Sequence, residues 1–146
     1  AEDMEKLKEE GLSQVAVEDR ASYVLENYEV DEAEAQRFAK LYTMYEQKGV
    51  DAISGWDYCR GLNLVSFYYL AGYYTEAEAL DKSLEIAKLV QPVFESWDAL
   101  ADSYLLGYEY WAEESSDERR DIYEDLKSRD DNPYQVDYSL TLEKTW

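Results

Sequence analysis

The sequence contains no histidine, one cysteine (Cys59), two prolines and six glycines. Each scarcity removes a class of function. Without histidine there is no Ser–His or Cys–His pair and no mixed His/Glu metal centre, and one cysteine builds neither a zinc finger nor a disulfide framework. No serine is followed by lysine three residues on, so the Ser-x-x-Lys nucleophile is missing as well. Gly55 and Gly61 are six residues apart, a spacing no other pair betters, with no Gly-Lys-Ser/Thr after them, so no phosphate-binding loop is present. Cations are few: 14 Lys and Arg against 34 Asp and Glu give a net charge of −20. That balance opposes nucleic acid and anionic membranes as partners. No stretch of 18 apolar residues exists to span a bilayer.

What remains is a chain of 146 residues, 46% hydrophobic and 15% aromatic. Its length fits one helical domain over 1–146 that leaves roughly 7,800 Å² exposed. It opens Ala1-Glu2-Asp3, with neither a methionine nor a basic, apolar leader, which leaves the compartment open. A single thiol fits the reducing cytoplasm and equally an exported protein that buries it.

Charge is uneven along the chain. Residues 1–34 carry 12 acids and 3 bases, residues 95–146 carry 15 and 5, and residues 35–94 carry 7 and 6. An almost neutral middle is thus flanked by two acidic ends. They act either as a solvated shell or as a surface that recruits a basic partner.

Apolar spacing is helical almost throughout. Val17, Ala21, Val24, Leu25 and Tyr28 share one face, as do Phe38, Leu41, Tyr42 and Tyr45. Thr75 with Glu78 and Ser115 with Glu118 form capping boxes, Ser54 with Asp57 a weaker one, and Ser96 caps the stretch from Trp97. Gly49 and Gly72 mark ends, and Pro92 stops the helix before it. These signals predict an all-α fold of about six helices at 14–28, 31–48, 55–72, 75–91, 97–113 and 116–129, with a short one at 2–10. After Pro133 the residues alternate like a strand with no partner, so an extended C-terminal tail lying on the helices is expected. The 55–72 stretch is apolar on two sides and is read as the buried central helix. Gly61 and Gly107 sit inside predicted helices, where glycine costs about 1 kcal/mol relative to alanine, and mark a close crossing of the two.

Candidate chemistry is sparse. Cys59, on the helix read as buried, is expected to be an inert thiol. Asp117, Asp121 and Asp125 share a helix face, and Asp130-Asp131-Asn132 makes an oxygen-rich turn. Neither has the spacing of a calcium loop, so no metal or cofactor is expected. With 34 acids, a close carboxylate pair says little about hydrolysis. Asp57, Arg60 and Asn63, three apart, read either as a buried ion pair with an amide that organises packing, or as the polar floor of a pocket for an anion. Tyr28, Tyr42, Tyr45 and Tyr104 fall on core faces. Tyr68, Tyr69, Tyr73, Tyr74, Tyr108 and Tyr110 are too many to bury together and suit an interface.

Gly55-Trp56-Asp57-Tyr58-Cys59-Arg60, then Asn63-Leu64, Ala71-Gly72-Tyr73, Glu76 and Glu78-Ala79 form an ordered string. It resumes at Phe94-Glu95-Ser96-Trp97 and Ser103-Tyr104-Leu105-Leu106-Gly107 and closes on Tyr110-Trp111. Over roughly 54–111 this string resembles a bacterial family, domain of unknown function 1266. The resemblance implies an all-helical domain with Trp56, Asp57, Arg60, Asn63, Trp97, Tyr104 and Trp111 as its signature, and implies no activity. The family pattern carries arginine after Leu-Leu-Gly, where this chain has Tyr108, so that position offers no cation to an anion.

Taken together, the sequence reads as a non-catalytic, acidic protein-binding module, of the immunity or inhibitor kind, for a partner with a basic surface. The alternative is a small-ligand sensor or enzyme with its polar site at Asp57, Arg60 and Asn63. The ligand or interface candidates are Trp56, Asp57, Arg60, Asn63, Tyr73, Trp97, Tyr104, Tyr108 and Trp111. Oligomeric state is not set by the sequence.

Overall fold

A computed structural model describes residues 2–146; Ala1 lies outside the described residues. Among them are seven α-helices and no strand: α1 (Glu2–Glu9), α2 (Arg20–Asn27), α3 (Glu32–Lys48), α4 (Ser54–Leu70), α5 (Glu76–Val90), α6 (Trp97–Ala112) and α7 (Asp117–Ser128). Short 3-10 turns at 12–14, 17–19, 49–52 and 133–135 link or follow them.

The start signals work where side chains reach the free amides. Asp31 accepts from the Glu34 N–H at 2.8 Å, Ser96 from that of Ala99 at 3.1 Å, and Thr75 and Glu78 form the full capping box. Two boxes do not form. Ser54 lies inside α4 and its hydroxyl donates to the Asp51 carbonyl. At α7 the cap is Ser116 rather than Ser115, and its hydroxyl turns away to donate to Glu109 at 2.6 Å. Gly49 and Gly72 end α3 and α4 with positive φ, a region that glycine alone enters freely.

The helix predicted at 14–28 is broken. Arg20 is buried, and its Nε donates to the Val15 carbonyl at 3.2 Å while Nη2 meets Glu46 at 2.5 Å. Those bonds hold residues 15–19 out of the helix, so α2 begins only at Arg20.

Two apolar clusters form the interior. One joins Met4, Leu7 and Leu12 to Val24, Ala35, Leu41, Tyr42 and Leu106. The other holds Val90, Phe94 and Leu100, with Tyr58, Cys59, Trp97 and Tyr138 against them. Helix α6 contributes to both and buries Leu100, Ser103, Leu105, Leu106, Gly107, Tyr108 and Glu109. The buried central role expected of 55–72 therefore falls to α6. Helix α4 packs between α6 and α5 yet buries only Gly55 and Val65, and Leu64, Phe67, Tyr68, Tyr69 and Leu70 are exposed. Two apolar faces on a helix predict two packed faces, but here the second one meets solvent.

The exposed surface totals 9719 Å². That is well above the expectation from chain length. Residues 136–146 form neither helix nor strand. Gln91 Nε2 donates to the carbonyls of Tyr138 at 2.7 Å and Leu140 at 2.8 Å, and Asp81 takes both Lys144 (2.6 Å) and the Trp146 indole N–H (2.9 Å).

Candidate functional site

The start of α4 is pressed against α6. A Cβ on Gly55 would stand 2.8 Å from the Tyr104 nitrogen and 2.9 Å from the Leu100 carbonyl oxygen. Ser103 ties the contact: its hydroxyl accepts from the Gly55 N–H at 3.0 Å and donates to the Asp51 carbonyl at 3.1 Å. A free amide at the α4 start is thus satisfied by α6 rather than by a cap in its own segment. The expected crossing is found at Gly107; Gly61 instead faces Ile86 of α5, with room for a methyl group at 3.6 Å.

That contact builds an aromatic stack. The Trp56 ring lies 5.2 Å from Tyr104, 5.6 Å from Tyr108 and 5.5 Å from Trp111, all tilted. Arg60, one turn on, lays its guanidinium 5.3 Å over Trp56 and 5.9 Å over Trp111. There the cation meets the negative faces of both rings. Five signature or tyrosine candidates are thereby brought together: Trp56, Arg60, Tyr104, Tyr108 and Trp111. Tyr108 is buried, not exposed as its place among the surplus tyrosines implied, because α7 closes over it. Arg119 of α7 stands 3.9 Å above its ring, and its hydroxyl meets Glu114.

The polar trio does not form the unit expected of it. Asp57, Arg60 and Asn63 are all exposed, and among the described residues Asp57 and Arg60 make no ion pair. Asp57 and Arg60 lie on the outward face of α4, so no burial cost forces them to pair. Arg60 rests on indole rings instead. Tyr73 is at the far end of α4, 76% exposed, edge-on to Tyr68 at 5.9 Å.

Asn63, Trp97 and Tyr104 reach a different place. They line a groove of about 440 Å³ between α4, α6 and α7, with Cys59, Leu62, Leu100, Arg119, Ile122, Leu126 and Tyr134 also on its walls. Trp97 is held there by donating to the Val136 carbonyl at 2.7 Å and stacking edge-on against Tyr134 and Tyr138. Burial pushes the Cys59 thiol up to about 11. It is therefore almost wholly protonated near neutral pH and a poor nucleophile.

Sequence reasoning missed two charged groups. Arg119 was hidden in a run of charges, Asp117-Glu118-Arg119-Arg120-Asp121, where nothing marks one arginine as facing a groove. Glu109 is 6% exposed and binds Lys40 Nζ at 2.9 Å and the Ser116 hydroxyl. A carboxylate three residues after Leu106 on a mostly apolar helix was the available sign that it faces inward.

Set beside known proteins, the chain matches no curated protein and no solved structure. A family model described as "Protein of unknown function (DUF1266)" matches residues 2–138, from α1 to the segment beyond the last 3-10 turn. The resemblance read from 54–111 thus extends over both apolar clusters, and the chain belongs to the DUF1266 family.

Proposed function

We propose that this domain is a non-catalytic protein-binding module that receives its partner on the outward face of α4. The observation that carries this reading is the stripe Leu64, Phe67 and Leu70, which are 48%, 63% and 77% exposed. It runs on from Arg60 and the exposed Trp111 at one end to Tyr73 at the other. Apolar and aromatic side chains with an arginine are the usual centre of an interface, and contiguous exposed patches mark such sites. The acidic segments 1–34 and 95–146 supply long-range attraction for a partner with a basic surface, as an immunity or inhibitor protein would use. The family-like residues Asp57 and Arg60 then serve recognition from this outward face, with Trp56 packed beneath Arg60. As a ligand site the same trio has no enclosed floor, and only Asn63 lines a groove.

The test is paired capture from lysate of the source cells, using the native chain and a Phe67→Ser/Leu70→Ser double variant. The expected result is one basic protein retained by the native chain and lost by the variant. Its on-rate should fall steeply between low salt and about 0.5 M salt, where screening acts within roughly 4–5 Å. Identical capture by both chains would remove the α4 face from the reading, and a salt-insensitive on-rate would remove the steering.

A further inference from the structure

We infer that the groove between α4, α6 and α7 binds a hydrophobic monocarboxylate, with the carboxylate on Arg119 and Asn63 and the apolar body against Leu62, Ile122 and Leu126. The groove encloses about 440 Å³. Sites for small molecules run from roughly 300 Å³ to roughly 1000 Å³. Its walls are mainly aliphatic and aromatic with few polar groups. That is the usual division between bulk affinity and orientation. Ile122 is 61% exposed on this wall, an apolar side chain that the chain's own packing leaves uncovered.

The charge distribution selects the ligand. Arg120 pairs with Asp102 at 2.6 Å, but its neighbour Arg119 makes no ion pair among the described residues of a chain with 34 acids. The Arg119 Cζ stands 3.9 Å over the Tyr108 ring, and its Nη1 reaches the Tyr104 hydroxyl at 3.5 Å. Held beside that ring and free of any carboxylate among the described residues, the guanidinium keeps donors for a planar, bidentate acceptor such as a carboxylate. The Asn63 side-chain amide lines the same groove and makes no hydrogen bond within the described residues. It can therefore add a further donor.

A phosphate dianion fits poorly. Glu114, Asp117 and Glu118 share the adjoining recess with Arg119, and the chain as a whole carries −20. One guanidinium in that field can hold a single negative charge far better than two. An uncharged apolar molecule, in turn, would leave the arginine edge unused.

Cys59 supplies the readout, because it is the sole thiol and sits on the groove wall. The rate of its modification by a maleimide at pH 8.5 is measured with decanoate and with 4-phenylbutyrate, below micelle-forming concentrations. The two neutral carboxamides serve as controls. At least one acid should slow labelling several-fold, and which one does so separates an alkyl from an aryl ligand. Arg119→Gln should weaken that protection about tenfold, and Asn63→Leu less. The Phe67→Ser/Leu70→Ser variant should bind as the native chain does, so this result is independent of the α4 interface. No protection by either acid, equal protection by the carboxamides, or native protection in Arg119→Gln with an unchanged circular dichroism spectrum would each overturn the inference.

Discussion

Gly107 sits so close to Trp56 that a Cβ at position 107 would lie 2.4 Å from the Trp56 Cβ and 2.9 Å from the Ile53 carbonyl oxygen. Both neighbours belong to the chain entering α4, so the clash has no flexible tip to absorb it. Gly107→Ala should therefore destabilise the fold by about 1–3 kcal/mol or more. Gly61→Ala meets only the Ile86 Cδ1 at 3.6 Å. It should stabilise by up to about 1 kcal/mol through helix propensity. Urea midpoints of the two variants moving in opposite directions would verify the contrast.

Glu109 links three helices, accepting from Lys40 of α3 and from the hydroxyl and N–H of Ser116 at the start of α7. Removing it leaves the buried Ser116 hydroxyl and amide without their acceptor. Glu109→Ala should cost about 1–3 kcal/mol. Lys40→Ala should cost somewhat less, because Ser116 still bonds the carboxylate, although the buried Glu109 then lacks its cation. Denaturant unfolding of both variants checks the order.

Asp98 gives the fold an acid-sensitive contact. Hydrogen bonds from Lys127 (2.6 Å) and the Tyr123 hydroxyl (2.7 Å) hold its carboxyl below the ordinary range. A carboxylate with a lowered folded value stabilises above its unfolded value, near 3.9, and loses that contribution as pH falls through the folded one. The stability difference between the native chain and Asp98→Asn should be full at pH 6 and shrink below about pH 4. A difference that stays constant down to pH 2 would refute the linkage.

Gln91 holds two carbonyls of the C-terminal segment with a single amide nitrogen. Gln91→Ala should change global stability by no more than about 1 kcal/mol. Amide exchange across 136–146 should nonetheless rise markedly, which mass spectrometry of quenched peptides can read.

Most helices were legible because their signals are local: Thr75 and Glu78, Ser96, Gly49 and Gly72 act within a few residues of themselves. Ser54 and Ser115 carried the same local pattern and failed, because Asp51 and the placement of Ser116 beside Glu109 offered other hydrogen bonds. The second depends on Glu109 of α6, which nothing in its own segment encodes, whereas Ser54 turns to a carbonyl only three residues back. Periodicity placed Leu64 and Phe67 on one face but could not say whether protein or water covers it. The groove drew on Asn63 and Trp97, which stood out in sequence, and on Arg119 and Ile122, whose role exists only once α7 is folded back over α6.

Helix α6 gives Leu106 to one apolar cluster and Leu100 to the other, and its buried side holds the start of α4 through Gly55 and Ser103. A chain arranged this way cannot melt one half and spare the other, since either loss strips the same helix of its partners. Thermal unfolding should follow a single cooperative transition, and the slowest-exchanging amides should lie around residues 103–109. A partner gripping α4 would accordingly raise protection in α6 and, through Leu106, in the apolar cluster of α1 to α3.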